Sequence, residues 1–394
     1  MNKTISALLA LVMALSLLLS AACAEPTDSL TLRFLPENDN MSKYGHMALD
    51  MPADEFLRVF ELGDIVTVTV PGCEPMDVPV CASYDDVSVG EMLLRVKSGE
   101  DHILLAVNYG KMGVLLGMLE DAPKDAGVNY IPREGADFDV PVTVEQKEKG
   151  GWLDRLQLSY LKRGDEITDY EADLSEEQFA NFRVIETTGM GKDILYRSSS
   201  PIRDSMNRNA YADRCCEAAG IRTCVNLGDT EAEAMALEGY SDTYYSRQNI
   251  LFLGLPAAFD TEQFREGLAE GFRFIIVNEG PYLVHCTEGK DRAGYTGAVL
   301  ELLMGASLDE AADDYLMTYE NYFAPLAESG EQLNDELRSA IRGILIGNLN
   351  YGYGIENIEA VDPAQATQDY LRMIGLTEDE IAALKAALSA NAEE

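Results

Sequence analysis

Basic residues and histidine are scarce in this 394-residue chain. Thirty lysines and arginines face 68 aspartates and glutamates, a formal net charge of −38. A surface of that sign disfavours nucleic acid and anionic membranes as partners. It also opposes a phosphorylated ligand at long range, but screening beyond about 8 Å at physiological salt leaves binding to the local groups. The three histidines, His46, His102 and His285, and the cysteine spacings form no zinc-ligand set. A structural or catalytic metal is therefore not expected, and neither is a cofactor. The segment Gly189-Met190-Gly191-Lys192 lacks the spacing and the hydroxyl residue of a nucleotide phosphate loop. Internal repeats and low-complexity tracts are missing too.

Long apolar runs are confined to the first 24 residues, so no transmembrane helix is expected in the remainder. Lys3, the run from Ile5 to Leu19, and Ala22-Cys23-Ala24 before Glu25-Pro26 read as a secretory signal with a small-x-small cleavage site. The expectation is a secreted or cell-surface protein. Lipidation at Cys23 is the rival reading, against which Ser20 stands where a lipoprotein signal carries leucine. Removing residues 1–24 takes away Lys3 and no acid, leaving 29 basic against 68 acidic groups. Six cysteines remain: Cys73, Cys81, Cys215, Cys216, Cys224 and Cys286. Export permits a bridge between Cys73 and Cys81 across a hairpin.

What the chain does possess is the stretch Val284-His285-Cys286-Thr287-Glu288-Gly289-Lys290-Asp291-Arg292-Ala293-Gly294. A cysteine precedes an arginine by six positions, in a loop between an apolar strand (Tyr282-Leu283-Val284) and an apolar helix (Gly294 to Met304). Such a loop can ring a tetrahedral dianion with the backbone N–H groups of residues 287 to 292. The positive end of the helix favours the thiolate of Cys286, the form that attacks phosphorus. Arg292 adds a planar fork for two phosphate oxygens and for the charge of the transition state. The spacing alone is weak evidence, as Cys216-Glu217-Ala218-Ala219-Gly220-Ile221-Arg222 demonstrates. There the order is helix, turn, strand, which aims carbonyls at the loop, and Cys216 reads as a core cysteine.

The motif His-Cys-x-x-Gly-Lys-Asp-Arg-x-Gly resembles the signature of the atypical bacterial tyrosine phosphatases, a family that also acts on phosphoinositides and on phosphoserine or phosphothreonine. Upstream, Asn181-Phe182-Arg183, Leu195-Tyr196-Arg197-Ser198, and Gly220-Ile221-Arg222-Thr223 with Asn226-Leu227 follow the order that family shows, so the resemblance spans roughly residues 178 to 325. It implies a Cys286 nucleophile, phosphate binding by Arg292, support from Lys290, and Asp291 as acid. One departure stands out. The family carries a hydroxyl residue directly after the arginine, which stabilises the departing thiolate; here it is Ala293.

Further site candidates follow from position. Thr287, Glu288, Gly289 and Lys290 belong to the anion-binding loop. His285 could orient the loop through hydrogen bonds, or be a satisfied core histidine. Arg197, at a strand end, could line the cleft or be a salt-bridged structural arginine. Asp229, in Asn226-Leu227-Gly228-Asp229-Thr230, is the alternative acid to Asp291, with a turn role as its plain reading. Two cations beside Asp291 are expected to depress its pKa until phosphate binds. The tyrosines Tyr240, Tyr244, Tyr245, Tyr319 and Tyr322 could stack on a substrate ring, though packing is their ordinary use.

Three parts are expected: a signal at 1–24, a β-rich accessory domain at 25–165 and a cysteine-dependent phosphatase domain at 166–394. Asp64 to Val70 alternates and stops at Pro71-Gly72, and Met92 to Val96 and His102 to Val107 flank a Ser98-Gly99 turn, which suggests a small barrel or sandwich. That part bears a slight resemblance to the C-terminal β-barrel of the S-adenosylmethionine hydroxide adenosyltransferases, and its partner is not legible. Residues 121–150 read as a loop and an outer strand. Beyond 166, strands at 194–198, 222–227, 249–254 and 282–286 alternate with helices at 206–219, 261–277, 293–304 and 308–320. An α/β fold follows, its central sheet mostly parallel with helices on both faces. The reactive loop leaves the C-terminal end of a central strand, where ligands bind in such sheets. A phosphorylated protein or peptide is the expected substrate. An inositol phosphate is the alternative, and a catalytically inactive phospho-ligand-binding module is the second.

Overall fold

Strict alternation at β3 (Ile65–Thr69) buries Val66 and Val68 and turns the threonines outward, the pattern of a sheet with one covered face. In the computed structural model, which describes residues 28–390 except 37, 125, 172 and 328–331, this strand belongs to a seven-stranded sheet. The signal expected at 1–24 lies outside the described residues. The sheet runs β1 (Ser29–Leu32), β9 (Val142–Glu148), β3, β4 (Met76–Cys81), β5 (Met92–Arg95), β6 (Ile103–Val107) and β2 (Met47–Leu49). Only β4 and β5 pair in parallel. Beyond β1, Phe34 bridges to Leu49 of β2, so the sheet is nearly closed into a barrel. Its interior holds Phe56, Phe60, Val78, Val80, Leu94 and Leu105. The strand in the 121–150 region is not an outer one: β9 sits between β1 and β3, with Val142 and Val144 turned into this core. A further pair, β7 (Leu119–Asp121) and β8 (Tyr130–Pro132), stands apart. The Cys73 thiol points to the Leu116 carbonyl at 3.9 Å instead of bridging to Cys81.

The chain divides into two compact units. The first holds residues up to Tyr84 and Met92–Leu153; the second holds Asp85–Glu91 and everything from Asp154 onward. The second contains a five-stranded sheet in the order β10 (Arg183–Val184), β11 (Leu195–Ser198), β14 (Tyr282–His285), β12 (Thr223–Asn226) and β13 (Asn249–Phe252). Every pairing is parallel except that of the edge strand β10. All residues of β11, β12 and β14 are buried, as expected of parallel strands covered on both faces. The longer helices are α1 (Asn209–Ala218), α2 (Glu262–Val277), α3 (Asp291–Met304), α4 (Leu308–Phe323), α5 (Asp335–Tyr353), α6 (Pro363–Met373) and α7 (Glu378–Ser389). Capping boxes at Ser307 with Glu310 and at Thr377 with Glu380 start α4 and α7, satisfying their first backbone donors. Helix α3 is buried from Ala293 to Leu303 and so has no solvent face, which explains its apolar sequence on every side. Among the described residues, no helix is long and apolar enough to cross a membrane.

The register of the sheet positions the site. Ser198, His285, Asn226 and Phe252 lie at one level across β11, β14, β12 and β13. The segments after Ser198, Asn226 and His285 therefore emerge side by side at the C-terminal edge.

Candidate active site

Cys286 follows β14 directly and is 2 % exposed, within the same apolar cluster as Val284, Ala293 and Tyr295. From it the chain turns through residues 287–290 into α3. Each carbonyl of that turn faces away from the turn's interior, onto a donor. Thr287 O accepts from Ser200 N at 3.0 Å. Glu288 O accepts from the Tyr322 hydroxyl at 2.5 Å and from Asn181 Nδ2 at 3.3 Å. Gly289 O accepts from Arg197 Nη2 at 2.8 Å, and Lys290 O from Gly294 N at 2.9 Å. The N–H groups of Thr287 through Arg292, by contrast, find no acceptor among the described residues. Peptides whose carbonyls are tied outward present their N–H groups inward, and the first turn of a helix adds its own unpaired donors. The result is a cradle of donors at the positive end of α3.

Two glycines permit this shape. Gly289 has φ +68°, and a Cβ placed there would lie 2.2 Å from Ser198 O. Gly228 lets the segment after β12 ride on the loop, since a Cβ there would be 3.3 Å from Thr287 N and 3.4 Å from the Cys286 Cα. Substitution Gly289→Ala should displace the loop, because the clashing atoms of Ser198 and Ser199 are all backbone and the αL conformation disfavours alanine. Shifts of about 1 Å cost roughly 100-fold in turnover. Steady-state kinetics on an aryl phosphate checks this, and activity within threefold of the parent would contradict the loop geometry.

His285 is wholly buried. Its Nε2 meets the Tyr245 hydroxyl at 2.7 Å and its Nδ1 meets the Cys286 carbonyl at 3.3 Å. Burial holds the imidazole down at about 4, although Asp229 pulls the other way, so the ring is neutral at pH 7. The network assigns the proton to Nδ1, donating to Cys286 O, with Tyr245 donating to Nε2. His285 thus fixes the backbone at the nucleophile rather than reaching the interior of the loop. Tyr245 and Tyr322 are buried as well, so packing and hydrogen bonding are what these rings do.

Arg197 is fully buried and lies under the loop, not on a cleft wall. Besides Gly289 O, it reaches Lys290 O at 3.4 Å and pairs with Asp314 at 2.5 Å. Asp314 also takes Arg183 Nε at 2.7 Å. Glu301, buried beside them, has its carboxyl pushed well up by burial first and by Asp314 second. Two arginines thus share the Asp314 carboxylate beneath the cradle, where burial resists ionisation of the second acid, and this balance favours an anion above it.

Arg292 donates through Nη1 to Leu255 O at 2.9 Å and through Nη2 to the Thr287 hydroxyl at 3.4 Å, which fixes the plane of its fork. Lys290 lies 3.2 Å from Glu288 and 3.9 Å from Asp291; Asp291 foremost, and Glu288 with it, hold its ammonium well above the ordinary lysine range against the opposing effect of burial. Glu288 also pairs with Arg163 at 3.2 Å. The two candidate acids differ sharply. Asp229 is fully buried, with Arg203 Nε on one oxygen and Asn226 Nδ2 on the other at 3.0 Å. Asp291 begins α3 with 47 % of its side chain exposed. The depressed pKa expected from its two cations is not what the structure gives. Desolvation in its crowded surroundings outweighs Lys290 and, with Glu288, moves the carboxyl upward.

Sequence reasoning passed over Arg163, Asn181, Asp314 and Arg203. Only Asn181, within the upstream Asn-Phe-Arg segment, carried a signal; Arg163 meets Glu288 from 125 positions away, while Asp314 and Arg203 act through Arg197 and Asp229, 117 and 26 positions from them.

Residues 184–390 match the sequence model described as the tyrosine phosphatase family. No curated protein matches the chain. Among solved structures, the core catalytic domain of the PP-IP phosphatase SIW14 from S. cerevisiae in complex with citrate is 18% identical over 41% of this chain and 83% of that one, with a TM-score of 0.25. A second structure of the Siw14 catalytic core is 14% identical over 48% of this chain and 96% of its own, with a TM-score of 0.24. An uncharacterized conserved protein from Thermotoga maritima is 18% identical over 30% of this chain, at a TM-score of 0.22; the match spans only 36% of that chain. The family match extends over more than half of the 394 residues, so the chain belongs to the tyrosine phosphatase family and is a phosphoric monoester hydrolase.

Proposed function

We propose that the protein is a secreted cysteine-dependent phosphatase that works through a phosphocysteine intermediate, with phosphotyrosyl peptides as substrates. The observation that carries this reading is the ring of backbone N–H groups from Thr287 to Arg292 beside Cys286, with its carbonyls tied outward. In this mechanism the Cys286 thiolate attacks phosphorus while the N–H groups and the Arg292 fork hold the non-bridging oxygens. The P–O bond to the leaving group breaks, and the departing oxygen takes a proton from Asp291. Water then attacks phosphorus, the P–S bond breaks, and Asp291 accepts the proton of that water. His285, Arg197, Tyr322 and Asn181 keep the loop in shape and touch no reacting atom. The β-rich unit is assigned an accessory role.

Asp291 is preferred to Asp229 because an acid needs a free oxygen and a proton. Both oxygens of Asp229 are engaged by Arg203 and Asn226, whereas Asp291 stands half exposed at the loop with its carboxyl raised. A well-placed acid is worth about 10²- to 10⁴-fold on a poor leaving group and little on a good one. Asp291→Asn should therefore cost at least about 100-fold on tyrosyl phosphate and only a few-fold on a nitroaryl phosphate. If Asp229→Asn shows that selective loss and Asp291→Asn lowers both rates alike, the assignment is reversed.

The absence of a hydroxyl at Ala293 favours a second reading, a module that binds phosphorylated ligands without turning them over. Release of phosphate beyond one equivalent per protein separates the two.

A further inference from the structure

Four cations stand around the loop: Arg163, Lys290, Arg203 and Arg292. Three of them are already held by carboxylates. Glu288 takes Arg163 and Lys290 at 3.2 Å each, Lys290 has Asp291 as a second partner at 3.9 Å, and Arg203 is bound to Asp229. Among the described residues, Arg292 is the one member of this set without a carboxylate partner. Of the cations in this set, the one left for a phosphate is thus Arg292. Glu288 keeps 31 % of its side chain exposed, so it meets solvent at the rim. Burial raises its carboxyl, but Lys290 and Arg163 together outweigh that and hold it below the ordinary range, so it is ionised at neutral pH.

We infer that the rim admits substrates with one phosphate in a neutral or basic neighbourhood, and that the Glu288 carboxylate turns away a second phosphate next to the first. This inference rests on the phosphatase reading above and narrows its substrate class. A second phosphate close to the reacting ester would meet the Glu288 charge. The cations able to receive it, Arg163 and Lys290, are the ones Glu288 already occupies. Binding such a substrate requires breaking those pairs and leaving Glu288 uncompensated beside a dianion. Phosphotyrosine flanked by uncharged or basic residues suits the rim. Inositol polyphosphates and densely phosphorylated peptides do not. The opposition of charges acts over a few ångströms at a partly solvated rim, so it persists at physiological salt and weakens as ionic strength rises toward about 1 M.

The test is a ratio. One peptide carries phosphotyrosine beside serine, and its twin carries phosphotyrosine beside phosphoserine. Release of phosphate from tyrosine is measured as kcat/KM on both. The twin-to-parent ratio should be about 0.1 or lower in the unaltered protein. Glu288→Gln should raise that ratio about tenfold, the size expected of one unit charge acting from a few ångströms in a partly solvated rim. Arg163→Ala should lower it, because Glu288 is then less compensated. A general loss of activity leaves a ratio where it was, and structural damage does not move it in opposite directions in two variants. Should either variant fail to fold, raising the salt concentration with the unaltered protein should move the ratio toward 1. A ratio at or above 1 in the unaltered protein, or one that Glu288→Gln and salt leave in place, overturns the inference while the phosphatase reading stands. Failure to hydrolyse either peptide or any aryl phosphate would sink the reading beneath it instead.

Discussion

Replacing Cys286 by serine is expected to reduce hydrolysis of an aryl phosphate by on the order of 10⁴-fold or more, with folding intact. A hydroxyl fits the space of the thiol, and the residue is 2 % exposed among apolar neighbours that tolerate it. What is lost is chemical: a serine hydroxyl is a far weaker nucleophile toward phosphorus than a cysteine sulfur. Arg292→Ala should cost roughly 10³-fold, since its fork is anchored by Leu255 O and Thr287 Oγ1 and is aimed at charge that develops in the transition state. Full activity of Cys286→Ser would remove the nucleophile from the account.

The second large effect lies beneath the loop. Asp314→Asn should destabilise the protein by about 3–5 kcal/mol, the range for breaking a buried ion pair. Asp314 is the ionised carboxylate between Arg183 and Arg197, and all three side chains are at most 8 % exposed. Without its charge, two arginines stand together in the core beside Glu301, whose carboxyl burial pushes upward. Arg197→Met should be milder, because Arg183 remains on Asp314. It nevertheless withdraws the donor from Gly289 O and Lys290 O, so turnover should fall along with stability. Denaturant unfolding followed by fluorescence measures the first effect. A loss below about 1 kcal/mol for Asp314→Asn would mean that the cluster does not support the loop as described.

The loop was legible in the sequence because its signal is local. A strand, a cysteine, two glycines and an arginine at fixed spacing need only each other to make a cradle, and the neighbouring copy at Cys216 failed by the order of its elements. The parallel sheet was legible for a related reason: short strands with apolar centres, such as Tyr282-Leu283-Val284 and Cys224-Val225, alternate with helical segments. Arg197 was harder to place. Its burial depends on β11 pairing with β14, which sets Ser198 level with His285 and slides the preceding arginine under Gly289. Glu288 reads as one more backbone donor until Arg163, 125 positions away, is brought against its carboxylate. The direction of the Asp291 shift also escaped the sequence, which displays the two adjacent cations and not the protein packed around them. Helix α5 is masked by Gly343, Gly347 and Gly352, although Leu337, Ile341, Leu345 and Leu349 keep a four-residue spacing on its buried side.

Rapid quenching during turnover shows whether phosphate passes through the sulfur of Cys286. The protein is mixed with excess aryl phosphate, stopped in acid within milliseconds, digested and examined by mass spectrometry. A phosphate is expected on the peptide containing Cys286, forming at least as fast as product and absent from Cys286→Ser. Turnover with Cys286 unmodified at every time point, or with the phosphate on another side chain, would contradict it.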